Sequence, residues 1–552
     1  MAKKIKLEAG ILKNIFNIIK VAPINVNDRV CVLSFDEIKI RRSYLYDKSN
    51  DETLKPYNYA QVVLIRGLFA NWKQPIYYNY DCKMTKEILF EIINYVEAAG
   101  FPIVAVVSDL GGGNRSLHNE LDISINKTWF TNPSNGHKIC VFADVPHLIK
   151  LIRNHFVDDG FIINGKEICK STVEEVLRLT KKSDVNIAYK ISFENLVVKG
   201  AARQKVKLAT KLFSHTVSRA ILRMGTNGQL KTPNWLECSE FFKKVNDWFD
   251  CLNVKVPEID SRDRLKAFGL ALDDQVRIID EMTNLMTTMR VKGKRNLLPF
   301  QLGVIITNNS LKILLQEIQE RFQAKYLLTY RLNQDVLENF FGVLRAKGGL
   351  HDHPDTLEFK YRLRSYILGQ NEGSLSEYSN TEIDDTPDFH AENLGAKYIS
   401  QICSTNDYSI ADDAKIDEID FGDIVYDGLE NIGGFISHKL QLNNCISADD
   451  TSNTSNTWCN QLSEGGLDQP TPELMQHLQK LELIFVTFNG DTLKCCKNYL
   501  KTLLELSTNI NCNEAVKKLF FRCRMFFRIR HLNKDLSDKT ISRKRKINKI
   551  SQ

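Results

Sequence analysis

The chain has 552 residues, room for about three domains at roughly 100–200 residues each, and it is 43% hydrophobic and 26% charged. No apolar run approaches the ~18 residues of a membrane span, and the basic start MAKKIKLEAGILKNIF lacks the apolar core and cleavage site of a secretory signal. The 13 cysteines are odd in number and scattered, with no C-x-x-C pair, which argues for reduced intracellular thiols and against a structural zinc site. The net charge of +7 permits a nucleic-acid partner without requiring one.

Residues 8–20 place Ile11, Leu12, Ile15, Ile18 and Ile19 at helical spacing and predict an amphipathic helix. Val30 to Phe35 form a short apolar strand that ends at Asp36, and two further strands fall near 61–66 and 74–79. A helix over 85–98 runs to Gly100. The buried strand 103–107 then ends in Ser108-Asp109, and a strand over 139–142 ends at Asp144. Apolar runs of this length fit strands covered on both faces. Three strands, a helix, a strand, a helix and a strand are the order of an RNase H-like core with a mixed sheet, which still lacks a closing helix.

Residues 146–325 read as helix after helix, as at 171–180, 201–223, 238–251 and 272–289, so a large all-α insertion is expected to interrupt the sheet domain. Arg331 to Gly342 reads as the helix that returns to it. The acidic residues between 373 and 430 predict a linker, the Ser/Thr/Asn-rich stretch 440–470 a loop, and 471–530 a helical C-terminal domain. A basic tail with Arg543-Lys544-Arg545-Lys546 suits phosphate contact or nuclear import, and equally a solvated end.

Three carboxylates stand where a two-metal nuclease needs hard oxygen ligands. Asp36 ends the first strand, Asp109 ends the strand expected beside it at ~5 Å, and Glu338 lies on the returning helix. An Asp at a strand end serves as readily as a turn former or helix cap. Asp144, with His147 three residues on, rivals Asp109 for the second position, and both are ranked as support behind the carboxylates. The glycines 111–113 have no Lys-Ser/Thr after them, so they are read as a flexible turn and not a P-loop. Lys181-Lys182-Ser183-Asp184 is a weak likeness to a guanine-reading motif. His351-Asp352-His353 precedes Pro354 and is read as a loop, not a metal site.

Five stretches resemble P element transposases, in order and with similar spacing: LSFDE at 33–37, VSDLG at 107–111, DVPHLIK at 144–150, RLNQD at 331–335 and FKYRLR at 359–364. The resemblance runs from about residue 8 to 530. It implies a DDE-type DNA transposase: an RNase H-like core whose triad falls on Asp36, Asp109 and Glu338, with Mg²⁺ or Mn²⁺, and a helical insertion that binds GTP without hydrolysing it. The nucleotide residues it implies are Lys190, Lys205, Val206, Ser214, Phe249, Asp250, Asn253 and Asp335. It also implies a nuclear location and transposon-end and target DNA as partners, with a second copy or a full-length transposase and no membrane.

The resulting layout is 1–25 as the remnant of a dimerising helix, 26–165 and 326–372 as the two parts of the core, and 166–325 as the insertion. Beyond these lie 373–430 as acidic linker and 431–552 as the C-terminal domain. The zinc finger that opens such transposases is not found here, which leaves a catalytically silent regulator that binds DNA or a transposase as the alternative.

Overall fold

The structure, a computed structural model, describes residues 7–20, 24–180, 187–197, 199–258, 262–348, 353–368, 423–440 and 468–550. The tetrapeptide 181–184, His351 and Asp352, the acidic stretch up to residue 422 and residues 441–467 lie outside them. The chain divides into two compact units, the first made of Met1–Lys39, Tyr59–His353 and Lys360–Ile402 and the second of Ile40–Asn58, Pro354–Phe359 and Cys403–Gln552.

The first unit is built on a seven-stranded sheet of order β1-β6-β5-β2-β7-β9-β8. Its strands are β1 (Gly10–Ile11), β2 (Cys31–Lys39), β5 (Tyr59–Gly67), β6 (Lys73–Tyr80), β7 (Ile103–Ser108), β8 (Trp129–Thr131) and β9 (Lys138–Ala143). The short β3 (Leu45–Asp47) and β4 (Glu52–Leu54) pair with each other in the second unit. Strand β2 pairs antiparallel with β5 and parallel with β7, and β9 extends the parallel side. Cys31 to Phe35 are all buried, as are all six residues of β7, so these central strands carry no polar/apolar alternation.

Helix α1 covers only Lys13–Lys20, because Gly10 and Ile11 pair with Tyr78 and Tyr77 at the sheet edge instead of continuing the helix expected from residue 8. Helix α2 (Lys86–Ala98) starts at Thr85, whose hydroxyl accepts the Ile88 N–H, and ends at Gly100 with φ +83°. Helix α3 (Gly112–Glu120) begins in the triple glycine, so Gly112 and Gly113 form a helix's first turn with Gly111 at its cap. Helix α4 (Val145–Asp158) follows β9 directly, capped by Asp144 with Pro146 in its first turn.

The insertion holds α5 (Ser171–Thr180), α6 (Val206–Leu212), α7 (His215–Thr226), α8 (Trp235–Leu252), α9 (Leu272–Thr288) and α10 (Pro299–Phe322). It is not all helix: β10 (Phe161–Ile163), β11 (Lys166–Ile168) and β12 (Arg290–Val291) make a small antiparallel sheet. Periodicity over such two- and three-residue strands is too short to register. Phe156, Phe161, Phe213, Phe241 and Phe242 form its aromatic centre, with Phe213 and Phe242 crossing edge to face at 5.0 Å.

Helix α10 joins the insertion to the sheet. The Ala143 N–H donates to Thr307 Oγ1 at 3.0 Å, and Ser310 Oγ donates to the Val141 carbonyl at 2.6 Å. On its other face Asn308 Oδ1 accepts from the fully buried Trp248 Nε1 at 2.8 Å. The return to the core is a 3₁₀ turn at Thr329–Leu332 followed by α11 (Asp335–Ala346), four residues later than the helix expected from Arg331. Helix α12 (Thr356–Ile367) comes next.

The second unit carries α13 (Asp423–Leu440), α14 (Pro472–Asn489), α15 (Tyr499–Leu506) and α16 (Glu514–Ile550). Its core includes an ion pair between half-buried Arg524 and buried Glu482, with Nε at 2.5 Å and Nη2 at 2.6 Å from the carboxylate. Asp51, from the β3–β4 turn, accepts the first amides of α15, Leu500 N–H at 2.8 Å and Lys501 N–H at 3.0 Å.

Candidate active site and nucleotide cavity

Ser34 on β2 pairs with Val107 on β7, so continuing this parallel register by two residues sets Asp36 opposite Asp109, which follows the carboxyl end of β7; β2 itself runs on to Lys39 through its pairing with β5, so Asp36 lies within its strand and not at the strand end expected from the sequence. The order at that edge puts Asp144, just after β9, next in line. Glu338 lies in the first turn of α11.

Gln334 fastens α11 to this edge. Its Nε2 donates to the Phe35 carbonyl at 2.7 Å, and its backbone N–H donates to Asp144 Oδ1 at 2.8 Å. The other Asp144 oxygen accepts the His147 N–H at 2.9 Å. Asp109 Oδ1 accepts from the Gly111 N–H at 2.9 Å and Asn114 Nδ2 at 2.5 Å, which orients that carboxylate.

The four acids repel one another. Burial pushes the Asp36 carboxyl up to about 8, with the Asp109 charge next in weight and Glu338 and Asp144 adding to it. Burial, then Glu338, raises Asp144 to about 7. Burial also raises Glu338, and Lys150 and Arg345 oppose it. His147 falls to about 4 through burial and the Lys150 charge. The cluster thus carries more negative charge than nearby protein cations offset, and all its donors are hard oxygens, a set that suits Mg²⁺ or Mn²⁺. Among the described residues no three acidic, His or Cys side chains converge in a ready-made ligand group.

A second cavity, about 280 Å³, opens inside the insertion near the lower end of the ~300–1,000 Å³ of small-molecule sites. Lys190, Ser214, Asn246, Phe249, Asp250 and Asn253 line it, together with apolar Ile149 and Phe213. Asp250 Oδ2 accepts from Asn246 Nδ2 at 2.8 Å and Arg264 Nε at 3.0 Å. Burial raises the Asp250 carboxyl and the Arg264 bond opposes this. Ser214 Oγ and Asn253 Oδ1 are buried without partners. Unpaired polar atoms beside an aromatic ring fit a nucleobase. Lys205, Val206 and Asp335 are not on this wall: Lys205 is exposed before α6, Val206 is buried in it, and Asp335 bonds to Asn333 Nδ2 at 3.1 Å.

Three family models match in series: the TNP-like RNase H N-terminal domain over residues 7–122, the TNP-like GTP-binding insertion domain over 146–261 and the TNP-like RNase H C-terminal domain over 330–361. The transposable element P transposase of Drosophila melanogaster is 37% identical across 98% of this chain and 72% of its own length. The chain belongs to the P element transposase family. The DNA transposase THAP9 of Homo sapiens is 26% identical over 57% of this chain and 37% of its own. A solved structure, the Drosophila P element transposase strand transfer complex, superimposes with a TM-score of 0.65 at 42% identity, covering 67% of this chain and 84% of that one.

Asp36 and Asp109 fall in the first matched domain and Glu338 in the third, while the cavity-lining residues from Lys190 to Asn253 fall in the GTP-binding insertion domain. No helix among the described residues is long and apolar enough to cross a membrane. Sequence reading gave no role to Gln334, Lys150, Asn246 or Arg264. The Gln334 contacts join residues 190 and 299 positions apart, whereas Asn246 meets Asp250 one helical turn away, and Gln334 and Lys150 lie within the RLNQD and DVPHLIK stretches.

Proposed function

We propose that this chain is the catalytic core of a DNA transposase that cleaves and transfers DNA strands with divalent metal and uses GTP as a cofactor it does not hydrolyse. The observation that carries this reading is the gathering of Asp36, Asp109, Asp144 and Glu338 at one sheet edge with too little positive charge around them.

Asp36, Asp109 and Glu338 would hold the metal, which when bound activates the attacking oxygen and stabilises the leaving one. Asp144 and His147 support them from behind, Asp144 by capping α4 and holding the Gln334 N–H. The chain's own contribution is positioning: β2 and β7 fix two carboxylates in register, and Gln334 sets the third. In the insertion, Asp250 and Asn253 would read the guanine edge, Phe249 would pack on the base and Ser214 would take a hydroxyl or phosphate oxygen. Lys190 would meet the phosphates, whereas Lys205, Val206 and Asp335 lie off the cavity wall and are left out of the nucleotide site. DNA is the substrate and the nucleus its place of action. A second copy or a longer transposase would hold the opposite DNA end.

The test is transfer of a pre-cut 3′-hydroxyl DNA end into plasmid with Mg²⁺ and GTP, comparing the unaltered chain with Glu338→Gln. Transfer that falls at least ~10³-fold in the variant supports the reading. Equal transfer by both would remove Glu338 from the site and overturn it.

A further inference from the structure

Asp250 stands on the wall of the insertion cavity with one of its oxygens already engaged. Its Oδ2 accepts from Asn246 Nδ2 at 2.8 Å and from Arg264 Nε at 3.0 Å. A carboxylate oxygen has about two acceptor sites, so Oδ2 is full. Guanine presents two donors on one edge, the ring N–H and the exocyclic amine, and paired recognition of such an edge uses both oxygens of a carboxylate. One of the two side-chain donors on Oδ2 has to yield before Asp250 can meet both.

What else each donor holds decides which one yields. The Asn246 amide is held at its other end, where Oδ1 accepts the His215 N–H at 3.0 Å at the start of α7. That bond keeps Nδ2 turned toward Asp250. Arg264 lies instead on a short 3₁₀ turn, Asp263–Leu265, whose Leu265 borders the cavity. Its Nε sits between two carboxylates, 3.0 Å from Asp250 Oδ2 and 3.3 Å from Asp247 Oδ1. Nε carries a single hydrogen, and Asp250 takes it.

Asp247 is therefore a second acceptor in waiting. It precedes Asp250 by one turn of α8 and is not on the cavity wall. Its Oδ2 accepts from Lys243 Nζ at 3.0 Å, but its Oδ1 is buried with no hydrogen bond. A buried carboxylate oxygen left unpaired is costly, so a hydrogen bond moved onto it relieves that cost as Asp250 is freed. The guanidinium stays within reach of both carboxylates throughout, and neither loses its countercharge.

We propose that Arg264 sets the guanine specificity of the cavity: as the base binds, the Nε–H leaves Asp250 Oδ2 for Asp247 Oδ1, and Oδ2 takes the exocyclic amine in its place. Only hydrogen bonds change partners, and every proton stays on its nitrogen. A base without that amine gives Oδ2 no donor in exchange and leaves Arg264 where it stands. The assignment rests on the GTP reading of the cavity and deepens it. Arg264 and Asp247 become positioning residues for Asp250, and Asp247 acts from outside the cavity.

Calorimetric binding of GTP and of ITP, which lacks the amine, to the full chain with Mg²⁺ tests it. The readout is the ratio of the two affinities within each variant, which a partly unfolded sample does not shift. The unaltered chain should prefer GTP by ~10- to 100-fold, the worth of one hydrogen bond to a charged group. Asp247→Leu removes the waiting acceptor, holds Arg264 on Asp250 and should bring the ratio close to unity. Asp247→Asn keeps an oxygen for Nε and should retain most of the preference. Adding Arg264→Met to Asp247→Leu removes the competing donor and should restore it. An Asp247→Leu chain that prefers GTP as strongly as the unaltered one overturns the exchange. A preference lost in Asp247→Leu and not restored by Arg264→Met overturns it too, because Asp247 would then act through packing alone. Equal binding of GTP and ITP by the unaltered chain overturns the exchange and leaves the cavity a nucleotide site. Failure of the unaltered chain to bind either nucleotide overturns the GTP reading as well.

Discussion

Replacing Gln334 with Leu removes one hydrogen bond of known geometry at nearly constant volume. Gln334 is 3% exposed, and its Nε2 donates to the Phe35 carbonyl at 2.7 Å. The substitution leaves that carbonyl without its side-chain donor, at a cost of ~1–3 kcal/mol, or roughly 2–10 °C in melting temperature for a unit of this size. The backbone bond to Asp144 survives, so α11 stays in place but loses the tie that sets its distance from β2. Glu338 lies one turn further along. A misplacement of ~1 Å in a reacting assembly costs on the order of 10²-fold in rate. The assay is single-turnover strand transfer at saturating DNA, normalised to folded protein by thermal denaturation. A drop of ~30–300-fold in rate with unchanged DNA affinity is expected. Gln334→Asn is too short to span the gap and should fall similarly. A Leu variant that loses stability but transfers at the normal rate per folded molecule would show that the tie stabilises the core without positioning Glu338, and the reasoning would fail.

Three further outcomes follow from the same structure. The Asp36 carboxyl titrates near 8 when folded against an ordinary 3.8, so between about pH 4 and 8 the folded state binds the extra proton and stability falls as pH rises, by up to ~1.4 kcal/mol per unit. Asp36→Asn should flatten that slope in EDTA and raise the pH 8 melting temperature, and an unchanged slope would count against the carboxylate cluster. Asp250→Asn should weaken GTP binding ~10- to 100-fold by calorimetry and favour XTP, whose base offers an acceptor where guanine offers a donor. An unaltered GTP affinity would remove Asp250 from base reading. Glu482→Ala strands the Arg524 guanidinium and should destabilise the C-terminal unit by about 3–5 kcal/mol, as read by denaturant melts, whereas a loss under ~1 kcal/mol would mean the guanidinium finds water.

The central strands were legible because burial on both faces writes itself as an apolar run, unbroken from Ile103 to Val107 and interrupted only by Ser34 from Val30 to Phe35. Asp36, Asp109 and Asp144 were legible as sites because each ends such a run. The edge was harder. Gly10 and Ile11 join the sheet within a stretch whose apolar spacing is helical, because pairing with β6 outweighs a two-residue preference. Nothing in the residues between β2 and β5 marks them as leaving the sheet, yet Ile40–Asn58 belongs to the second unit, tied there by Asp51 at the start of α15. Gln61 illustrates the limit best. One polar residue at the head of an apolar strand looks like a boundary, and only the packing in three dimensions shows that its Oε1 is buried without a hydrogen-bond partner.

The insertion also has a mechanical meaning that its sequence does not announce. Phe249 and Asp250 on the cavity wall adjoin Trp248, whose indole bonds to Asn308 of α10. The neighbouring Thr307 accepts from Ala143, the last residue of β9 before Asp144. Asp144 holds Gln334, and Gln334 holds the Phe35 carbonyl next to Asp36. Trp248, Asn308, Thr307, Ala143, Asp144 and Gln334 are all buried, and each is hydrogen-bonded to the next or adjoins it in the chain. Such a chain of packed polar contacts runs without a break from the cavity wall to the carboxylates. The insertion is thereby tied to the carboxylate end of the sheet and is placed to act as a buttress for it. A nucleotide that fills the cavity and satisfies Ser214 and Asn253 would stiffen the far end of that buttress through its binding energy alone, with no need for hydrolysis.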